Sequence, residues 1–404
     1  MKVLDLSAQA PEVRLQILAA KTVLSPEEQA RFQDLLQRIT EWTSLGQSAT
    51  RNFSLPLLRK HIKSHSNQDH IPRAFYGKLD EGANRIALRN LMHLQCQKTF
   101  NSEVLEAASI PGVWFKGVTM ATQYYPDVGL RPCRDLDVIV PKGALEGVLK
   151  RALDSGYRLV SPDRLMKDLS SPRDLRALLR YGDSATLVAQ EKFVIDLQER
   201  LDKHSGIFDR FNVFKNAPTV RAGGTDFLTM PPAFLLNYLC HHHTRHTWSR
   251  LHWLSDLDAM VAHPDFDVEE VLSMADDLGQ RGTVEASLEL NALMSVDESW
   301  DEPSTWPRGK AFMSMAVQNL PGKMDIEKQL QLNLIGGEFL FDWQARPEII
   351  AKARRAWWRD IFKPTISQYG RFPLPEVLQW IYYIPRFWEL THQTITRKYQ
   401  AWKA

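Results

Sequence analysis

Apolar positions recur every three or four residues over much of the chain, which is the spacing of an amphipathic helix. Near the start, Ser25 and Pro26 supply an N-cap and a first helical position. The apolar positions that follow are Phe32, Leu35, Leu36 and Ile39. Beyond Pro231 the rhythm returns at Phe234, Leu235, Tyr238 and Leu239, and then at Leu251, Leu254, Leu257 and Met260. The pattern predicts helical regions towards both ends of the chain.

The middle of the chain changes to short apolar runs separated by turn residues, a pattern typical of β-strands. The predicted strands are residues 113–115, 135–140, 157–160, 185–189 and 193–197, and the last two are separated at hairpin spacing. We therefore expect an α/β (α+β) fold with a small mixed-sheet core embedded between helical regions. The predicted regions are 1–108 (N-terminal helical region), 109–228 (α/β core) and 229–404 (C-terminal helical region).

The composition is that of an ordinary globular protein and excludes several classes. With 404 residues, 44% hydrophobic and 24% charged, the chain is neither disordered nor collagenous. A formal net charge of +2 gives no global attraction to nucleic acid or membranes, so either partner would need a local patch. The three cysteines stand far apart, which excludes a disulfide framework or zinc ribbon and favours a cytoplasmic location. No stretch approaches 18 uninterrupted apolar residues, so no membrane-spanning helix is expected.

Three carboxylates are candidates for a metal site. Asp135 and Asp137 are two residues apart on a predicted strand, so their side chains point to the same face. Two carboxylates this close repel unless a cation lies between them, and Mg²⁺ or Mn²⁺ prefers such oxygen ligands. Asp196 is a lone acid in a strand otherwise made of core residues, and it would complete the site. An isolated Asp-x-Asp alone is more often a solvated strand end, so the interpretation depends on the whole set.

A glycine turn precedes the carboxylates and adds a candidate phosphate site. Gly117 follows a predicted strand and opens a predicted helix, where backbone N–H groups can approach a phosphate. Lys116 and Arg131 would neutralise the rest of a triphosphate. Carboxylates for metal ions, a glycine turn and cations together indicate metal-assisted phosphoryl or nucleotidyl transfer.

Longer stretches around these residues resemble a known family. The stretches are Ile110-Pro-Gly-Val-Trp-Phe-Lys-Gly-Val-Thr-Met-Ala, Tyr125-Pro-Asp, Leu130-Arg-Pro-Cys-Arg-Asp-Leu-Asp-Val-Ile-Val and Trp248-Ser-Arg-Leu-His-Trp-Leu-Ser-Asp-Leu. They are similar to the uncharacterised nucleotidyltransferase family of the DNA polymerase β-like superfamily, and they also resemble the nucleotidyltransferase toxins of type IV systems. The resemblance covers roughly residues 80 to 265.

The resemblance implies a nucleotidyltransferase core and a role for each candidate residue. The metal ligands for Mg²⁺ (or Mn²⁺) would be Asp135, Asp137 and Asp196, and the last would also help deprotonate the acceptor. The nucleotide-binding residues would be Lys116, Gly117, Thr119 and Arg131. The reaction would move a nucleoside monophosphate from an NTP to an acceptor and release pyrophosphate.

The acceptor is not identified by the sequence. A small molecule, a protein side chain or an RNA end would serve, and the near-neutral charge favours the first two. Two departures from the family pattern, Val118 after the glycine and Gln198 near the third acid, favour an alternative. That alternative is a catalytically inactive protein of the same fold that senses a nucleotide or binds a partner.

Two further features have competing interpretations. The histidines at 241–243, 246 and 252 form a run in which His242 and His246 share a helix face, as zinc ligands do, but a structural or substrate-lining role is favoured. Residues 352–404 hold 10 Lys and Arg against 3 acids, and 5 of the 12 Trp. That segment fits a helical subdomain with buried aromatic side chains, an RNA-binding surface or a peripheral membrane contact, as in an enzyme of surface-polymer assembly.

Overall fold

The structure of the chain is a computed structural model. The residues that it describes are 8–64, 70–160, 168–169, 171–182, 184–190, 192–201, 206–297, 307–320, 347–348, 351, 355, 363–371 and 374–384. The predicted α/β fold class is confirmed, because helices and a mixed sheet both occur in these residues.

Fourteen α-helices lie in the part of the chain that the structure describes. They are α1 (Pro11–Ala19), α2 (Pro26–Gln37), α3 (Trp42–Arg51), α4 (Leu55–Lys63), α5 (Arg73–Phe100), α6 (Gly117–Tyr124), α7 (Leu145–Asp154), α8 (Pro172–Tyr181), α9 (Pro232–Arg245), α10 (Leu251–Val261), α11 (Val268–Leu278), α12 (Arg281–Leu293), α13 (Pro307–Asn319) and α14 (Ile366–Arg371). A π-helical segment, Asn101–Glu106, continues α5. The short 3₁₀-helices are Val128–Leu130, Phe208–Arg210 and Glu376–Tyr382.

The strands are β1 (Val113–Trp114), β2 (Leu136–Ile139), β3 (Arg158–Val160), β4 (Ser184–Ala189), β5 (Phe193–Gln198), β6 (Thr219–Ala222) and β7 (Thr225–Thr229). The first five confirm the predicted strands to within one or two residues at each end. The last two were not predicted. They pair as a hairpin across Gly223 and Gly224, both of which have positive φ.

The chain forms two compact units. The first is Met1–Leu94, Lys116–Arg134 and Pro218–Arg346, and we call it the helical unit. The second is Gln95–Phe115, Asp135–Ala217 and Pro347–Ala404, and we call it the sheet unit. The three regions predicted from the sequence, with boundaries at 108 and 228, stay a prediction.

The helical unit illustrates how local sequence sets its helices. Ser25 caps α2, since its hydroxyl accepts from the Glu28 N–H while the Glu28 carboxylate accepts from the Ser25 N–H. Glu28 also accepts from the hydroxyl of Ser295 at 2.6 Å and pairs with Lys21 at 2.9 Å. The end of α12 and the start of α2 are thereby joined.

The sheet unit is built on five strands in the order β3-β4-β5-β2-β1. The β2–β5 pair is parallel, whereas β1–β2, β3–β4 and β4–β5 are antiparallel. In β5, Phe193, Ile195 and Leu197 are buried, while Val194, Asp196 and Gln198 are half-buried. All four residues of β2 are buried. One face of β5 therefore packs in the core, and the other carries the acid.

Candidate active site

The sheet unit brings two of the predicted metal ligands together. In the parallel β2–β5 pair, Asp137 lies directly opposite Asp196. Neighbouring strands are about 4.8 Å apart and paired residues point to the same face, so the two carboxylates share one face. Asp135 directly precedes β2 and lies two residues before Asp137 in the chain. Asp135 therefore lies at one end of β2 and Asp137 within it, and Asp137 has the predicted third acid, Asp196, as its neighbour across the sheet.

Each paired carboxylate also has a neutral hydrogen-bond donor. Asp196 Oδ1 accepts from the hydroxyl of Thr186 at 3.0 Å, and Thr186 is its cross-strand partner on β4. Asp137 is 6% exposed, and its Oδ1 accepts a long bond of 3.5 Å from the amide of Gln198. Among the described residues, no group of three or more His, Cys, Asp or Glu side chains is arranged to hold a metal ion. The donor chemistry of the pair suits a hard cation, but a third ligand is not grouped with it.

The glycine turn lies in the helical unit, at the start of α6. Gly117 has φ of +57°, in the left-handed region that favours glycine, and it directly follows Lys116. Val118 and Thr119 fill the first turn of α6 and are fully buried. The hydroxyl of Thr119, a predicted nucleotide-binding residue, is therefore enclosed in the helical unit and does not face solvent.

Arg131 supports this turn from within the protein. It is 5% exposed, and its Nε and Nη2 donate to the two carboxylate oxygens of Asp256 at 2.7 and 2.8 Å. Its Nη1 donates to the carbonyl oxygen of Gly117 at 3.3 Å. The guanidinium thus links the turn to α10. Its donors are directed to Asp256 and to the Gly117 carbonyl, where the sequence predicted a phosphate.

Tyr125 joins the same network. Its hydroxyl donates to Asp256 Oδ1 at 2.7 Å. Burial and the Asp256 carboxylate raise the pKa of this hydroxyl well above its usual range, so it remains a donor at all ordinary pH values. Asp256 therefore receives hydrogen bonds from two side chains and is fully enclosed.

Lys116 contacts the histidine run on α9. Its Nζ lies 3.4 Å from His242 Nε2 and 5.3 Å from the ring centroid of Tyr238. The rings of His242 and His246 are 4.7 Å apart. Burial and the nearby Lys116 ammonium lower the pKa of His242 well below its usual value, and burial with Arg245 lowers that of His246 to about 3. These imidazoles are neutral at physiological pH.

The histidine run is not arranged as a zinc site. No metal-holding group of three His, Cys, Asp or Glu side chains occurs in the part of the chain with described coordinates. The ammonium of Lys116 next to His242 would also repel a bound cation. The favoured structural or substrate-lining role of these histidines stays a prediction.

The comparison with known proteins bears on this arrangement. The sequence model of the uncharacterised nucleotidyltransferase family matches residues 39–295. The chain belongs to this family. It is therefore a transferase of the nucleotidyltransferase class, and the resemblance seen in the sequence is confirmed for the family. The similarity to type IV toxins stays a prediction. No match to the chain is found among curated proteins.

The family match encloses every predicted site residue and also Tyr125 and Asp256, to which sequence reasoning assigned no role. Asp256 accepts hydrogen bonds from both Tyr125 and Arg131. Tyr125 and Asp256 both lie in stretches that resemble the family, which was the available clue to their importance. Their pairing could not be read from the sequence because 131 residues separate them.

A cavity of about 730 Å³ lies in the sheet unit, beyond the carboxyl ends of β2 and β5. Its lining includes Ile139, Lys142, Arg210, Phe208, Phe211 and Phe214. Ile139 is two residues after Asp137 and on the same face of β2 by strand alternation. The size is typical of small-molecule sites, and aromatic, cationic and acidic groups all line it.

The C-terminal segment is described only in part. Of its five Trp residues, Trp380 lies in the described chain and is 62% exposed, whereas Trp357, Trp358, Trp388 and Trp402 fall outside the described residues. None of the helices with described positions has the length and apolar character required to cross a membrane. The alternatives for this segment, a packed subdomain, RNA binding or membrane contact, stay predictions.

Proposed function

We propose that the protein is a metal-dependent nucleotidyltransferase that moves a nucleoside monophosphate from an NTP to an acceptor, with release of pyrophosphate. The observation that carries the proposal is the pairing of Asp137 with Asp196 on adjacent parallel strands. Two carboxylates on one face of a sheet repel each other, and a bound divalent cation would remove that repulsion. Family membership supports the nucleotidyl-transfer chemistry.

In this proposal, Asp137 and Asp196 would hold Mg²⁺ or Mn²⁺, and Asp135, which is not grouped with them among the described residues, would be the third ligand. When bound, such a cation neutralises charge that develops on the phosphates and lowers the pKa of an attacking hydroxyl. Asp196 would receive the proton of the acceptor hydroxyl. Thr186 would orient the Asp196 carboxylate through the 3.0 Å bond to Oδ1.

The nucleotide would be bound by Lys116 and by the backbone of the turn at Gly117. The positive φ of Gly117 supports this role, since left-handed glycines allow successive N–H groups to face an anion. Arg131 would act through the Gly117 carbonyl, because its other donors are directed to Asp256. Thr119 would support the first turn of α6 from its buried position.

The acceptor would bind in the cavity beyond β2 and β5. Ile139, which lines it, is about 7 Å along the strand from Asp137, given a rise near 3.3 Å per residue. The lining also holds cations (Lys142, Arg200 and Arg210), acids (Glu199 and Asp209) and three Phe side chains. Arg200 pairs with Asp209 at 2.7 Å, and the cations of the lining exceed its acids by one. A small molecule with an anionic group and an apolar part fits this lining.

We also propose that the protein is located in the cytoplasm.

The test measures transfer from each radiolabelled NTP with Mg²⁺ in the full chain. We expect pyrophosphate release in the wild type and a loss of about 1000-fold in Asp137→Asn and Asp196→Asn, since a bound cation contributes several kcal/mol to the transition state. Asp154→Asn is the matched control, because Asp154 is an exposed acid of the same unit at the end of α7. Activity in the two strand variants equal to that of the control would overturn the proposal.

A second candidate function is nucleotide sensing without turnover. The observations that favour it are the Gln198 amide directed at Asp137 and the absence of a three-ligand metal group among the described residues. It predicts NTP binding by calorimetry in the wild type with no pyrophosphate release. The same labelled-NTP assay therefore separates the two candidates.

A further inference from the structure

One face of α9 carries a row of ring side chains spaced four residues apart. Tyr238 and His242 occupy it, because residues at i and i+4 lie one above the other on a helix, and His246 follows as the residue that caps the C-terminus of α9. The ring centroids of Tyr238 and His242 are 5.6 Å apart. Lys116, from the turn before α6, places its ammonium against the first two of these rings. The lysine is therefore held from two adjacent turns of one helix.

The contact with Lys116 determines the protonation of His242. An ammonium group can only donate, so His242 Nε2 must accept and must carry no proton. A neutral imidazole carries one proton, which then lies on Nδ1. Protonating Nε2 would bring two positive groups to within 3.4 Å, and burial adds to this penalty. His242 is thus fixed in the Nδ1–H form.

The same reasoning extends one residue further. His242 Nδ1 lies 3.4 Å from His243 Nδ1, so the first donates and the second accepts. The His243 ring is 1% exposed and stacks on Trp253 with an interplanar angle of 13° and centroids 5.2 Å apart. The stack on Trp253 therefore holds the plane of the His243 ring beside His242.

We propose that His242 is a positioning residue that holds the Lys116 ammonium, through its unprotonated Nε2, in the place where the NTP polyphosphate binds. This inference rests on the proposed function for the identity of the ligand. The orientation of the lysine rests only on the contacts of the helical unit. His242 keeps the ammonium from adopting other rotamers before the nucleotide arrives, which reduces the entropic cost of binding.

The first experiment determines the tautomer of His242 by two-dimensional ¹⁵N NMR of the histidine-labelled full chain at pH 7.5. In the wild type, Nε2 is expected to have the shift of an unprotonated ring nitrogen and Nδ1 that of a protonated one. In Lys116→Met, the Nε2–H form is expected to appear. A wild-type ring with its proton on Nε2 would overturn the inference whatever the enzyme activity.

The second experiment compares two substitutions of the same residue. His242→Gln keeps an acceptor oxygen near the position of Nε2, whereas His242→Phe keeps a ring and removes the acceptor. We expect the KM for NTP to rise about tenfold or more in His242→Phe, with a smaller change in kcat, and to stay within about threefold in His242→Gln. His70→Phe is the control, because His70 is exposed in the same unit.

The outcomes separate this inference from the proposed function. Equal KM values in both His242 variants and the wild type would overturn the positioning role while leaving nucleotidyl transfer in place. Wild-type protein that neither binds nor turns over any NTP would overturn the proposed function and the ligand assigned to Lys116. In that case the NMR result still decides whether His242 holds the lysine. If His242→Phe fails to fold, the NMR comparison of wild type with Lys116→Met still decides whether Nε2 of His242 accepts from the lysine.

Discussion

Arg131 and Asp256 form a buried bidentate ion pair, with Nε to Oδ1 at 2.7 Å and Nη2 to Oδ2 at 2.8 Å. The side chains are 6% and 0% exposed, and 125 residues separate them in the sequence. Each belongs to a different stretch by which the chain resembles its family. Because Arg131 also binds the carbonyl of Gly117, this pair couples α10 to the turn that we assign to phosphate binding.

Breaking this pair is expected to be costly. In Asp256→Asn, the guanidinium of Arg131 would remain buried without an opposite charge, so the free energy of unfolding should fall by about 3–5 kcal/mol. Urea unfolding followed by circular dichroism measures the change. The control is Glu81→Gln, whose partner Arg85 is 72% exposed, and there the loss should stay below about 1 kcal/mol. Equal losses in the two variants would contradict the importance of burial.

Gly117→Ala tests the left-handed turn. An alanine at φ of +57° costs about 1–2 kcal/mol, and relieving that strain would displace the N–H groups of the turn. We expect lower thermal stability together with weaker NTP binding by calorimetry. Gly77→Ala is the matched control, because Gly77 lies in α5 and a Cβ there meets no atom within 4 Å. That variant should be more stable by up to about 1 kcal/mol. An unchanged Gly117→Ala would show that the turn tolerates a side chain.

Asp258 should give the fold a distinct pH dependence. Its Oδ2 accepts from the N–H and hydroxyl of Thr22 at 2.6 and 2.7 Å, yet burial raises the pKa of this carboxyl overall. The folded state therefore keeps a proton that the unfolded state loses near its pKa of about 3.9. This contribution to stability is present below that pH and is lost as pH rises through the higher folded pKa, by at most about 1.4 kcal/mol per pH unit.

The measurement compares Asp258→Asn with the wild type by urea unfolding at successive pH values from about 3.5 upward. Asparagine cannot titrate, so the difference in unfolding free energy should move in favour of the variant as pH rises. Parallel curves across this range would mean that the folded and unfolded pKa values of Asp258 are the same.

Half-buried Cys96 and fully buried Cys240 should resist alkylation. Burial raises the pKa of the Cys96 thiol to about 11 and that of Cys240 to about 12. At pH 8 only about one molecule in a thousand or fewer would carry a thiolate at either position, and the thiolate is the reactive form. Mass spectrometry after iodoacetamide treatment should show both sites unmodified in the folded chain and modified in urea. Rapid modification of Cys240 in the folded chain would contradict its burial.

Much of the sheet could be predicted because its features are local. The turn between β4 and β5 separates two apolar runs, and Asp196 was recognisable as a lone acid among core residues of β5. The β6–β7 hairpin also had a local clue, since Gly223 and Gly224 form a two-residue loop between alternating positions. It was missed because the flanking runs contain exposed polar residues.

The contacts of the cations could not be predicted in the same way. Lys116 and Arg131 were recognised as positive groups near a glycine turn, but their partners, His242 and Asp256, follow 126 and 125 residues later. Hydrophobic periodicity reports which face of a helix is buried, and it carries no information about which distant side chain it meets. Arg131 therefore looked like a phosphate ligand, whereas it is buried against a carboxylate.

The hydrogen bonds between Thr22 and Asp258 affect how the protein can be shortened. The family match begins at residue 39, so its boundary separates Asp258 from Lys21 and Thr22, and Ser295 from Glu28. A chain that begins at residue 39 would keep the buried Asp258 carboxylate. It would lose the hydrogen bonds from Thr22 and the ammonium of Lys21, which lie in the loop between α1 and α2. Expression of the family-matched portion alone should therefore yield aggregated protein, and the first two helices should be retained in any recombinant version.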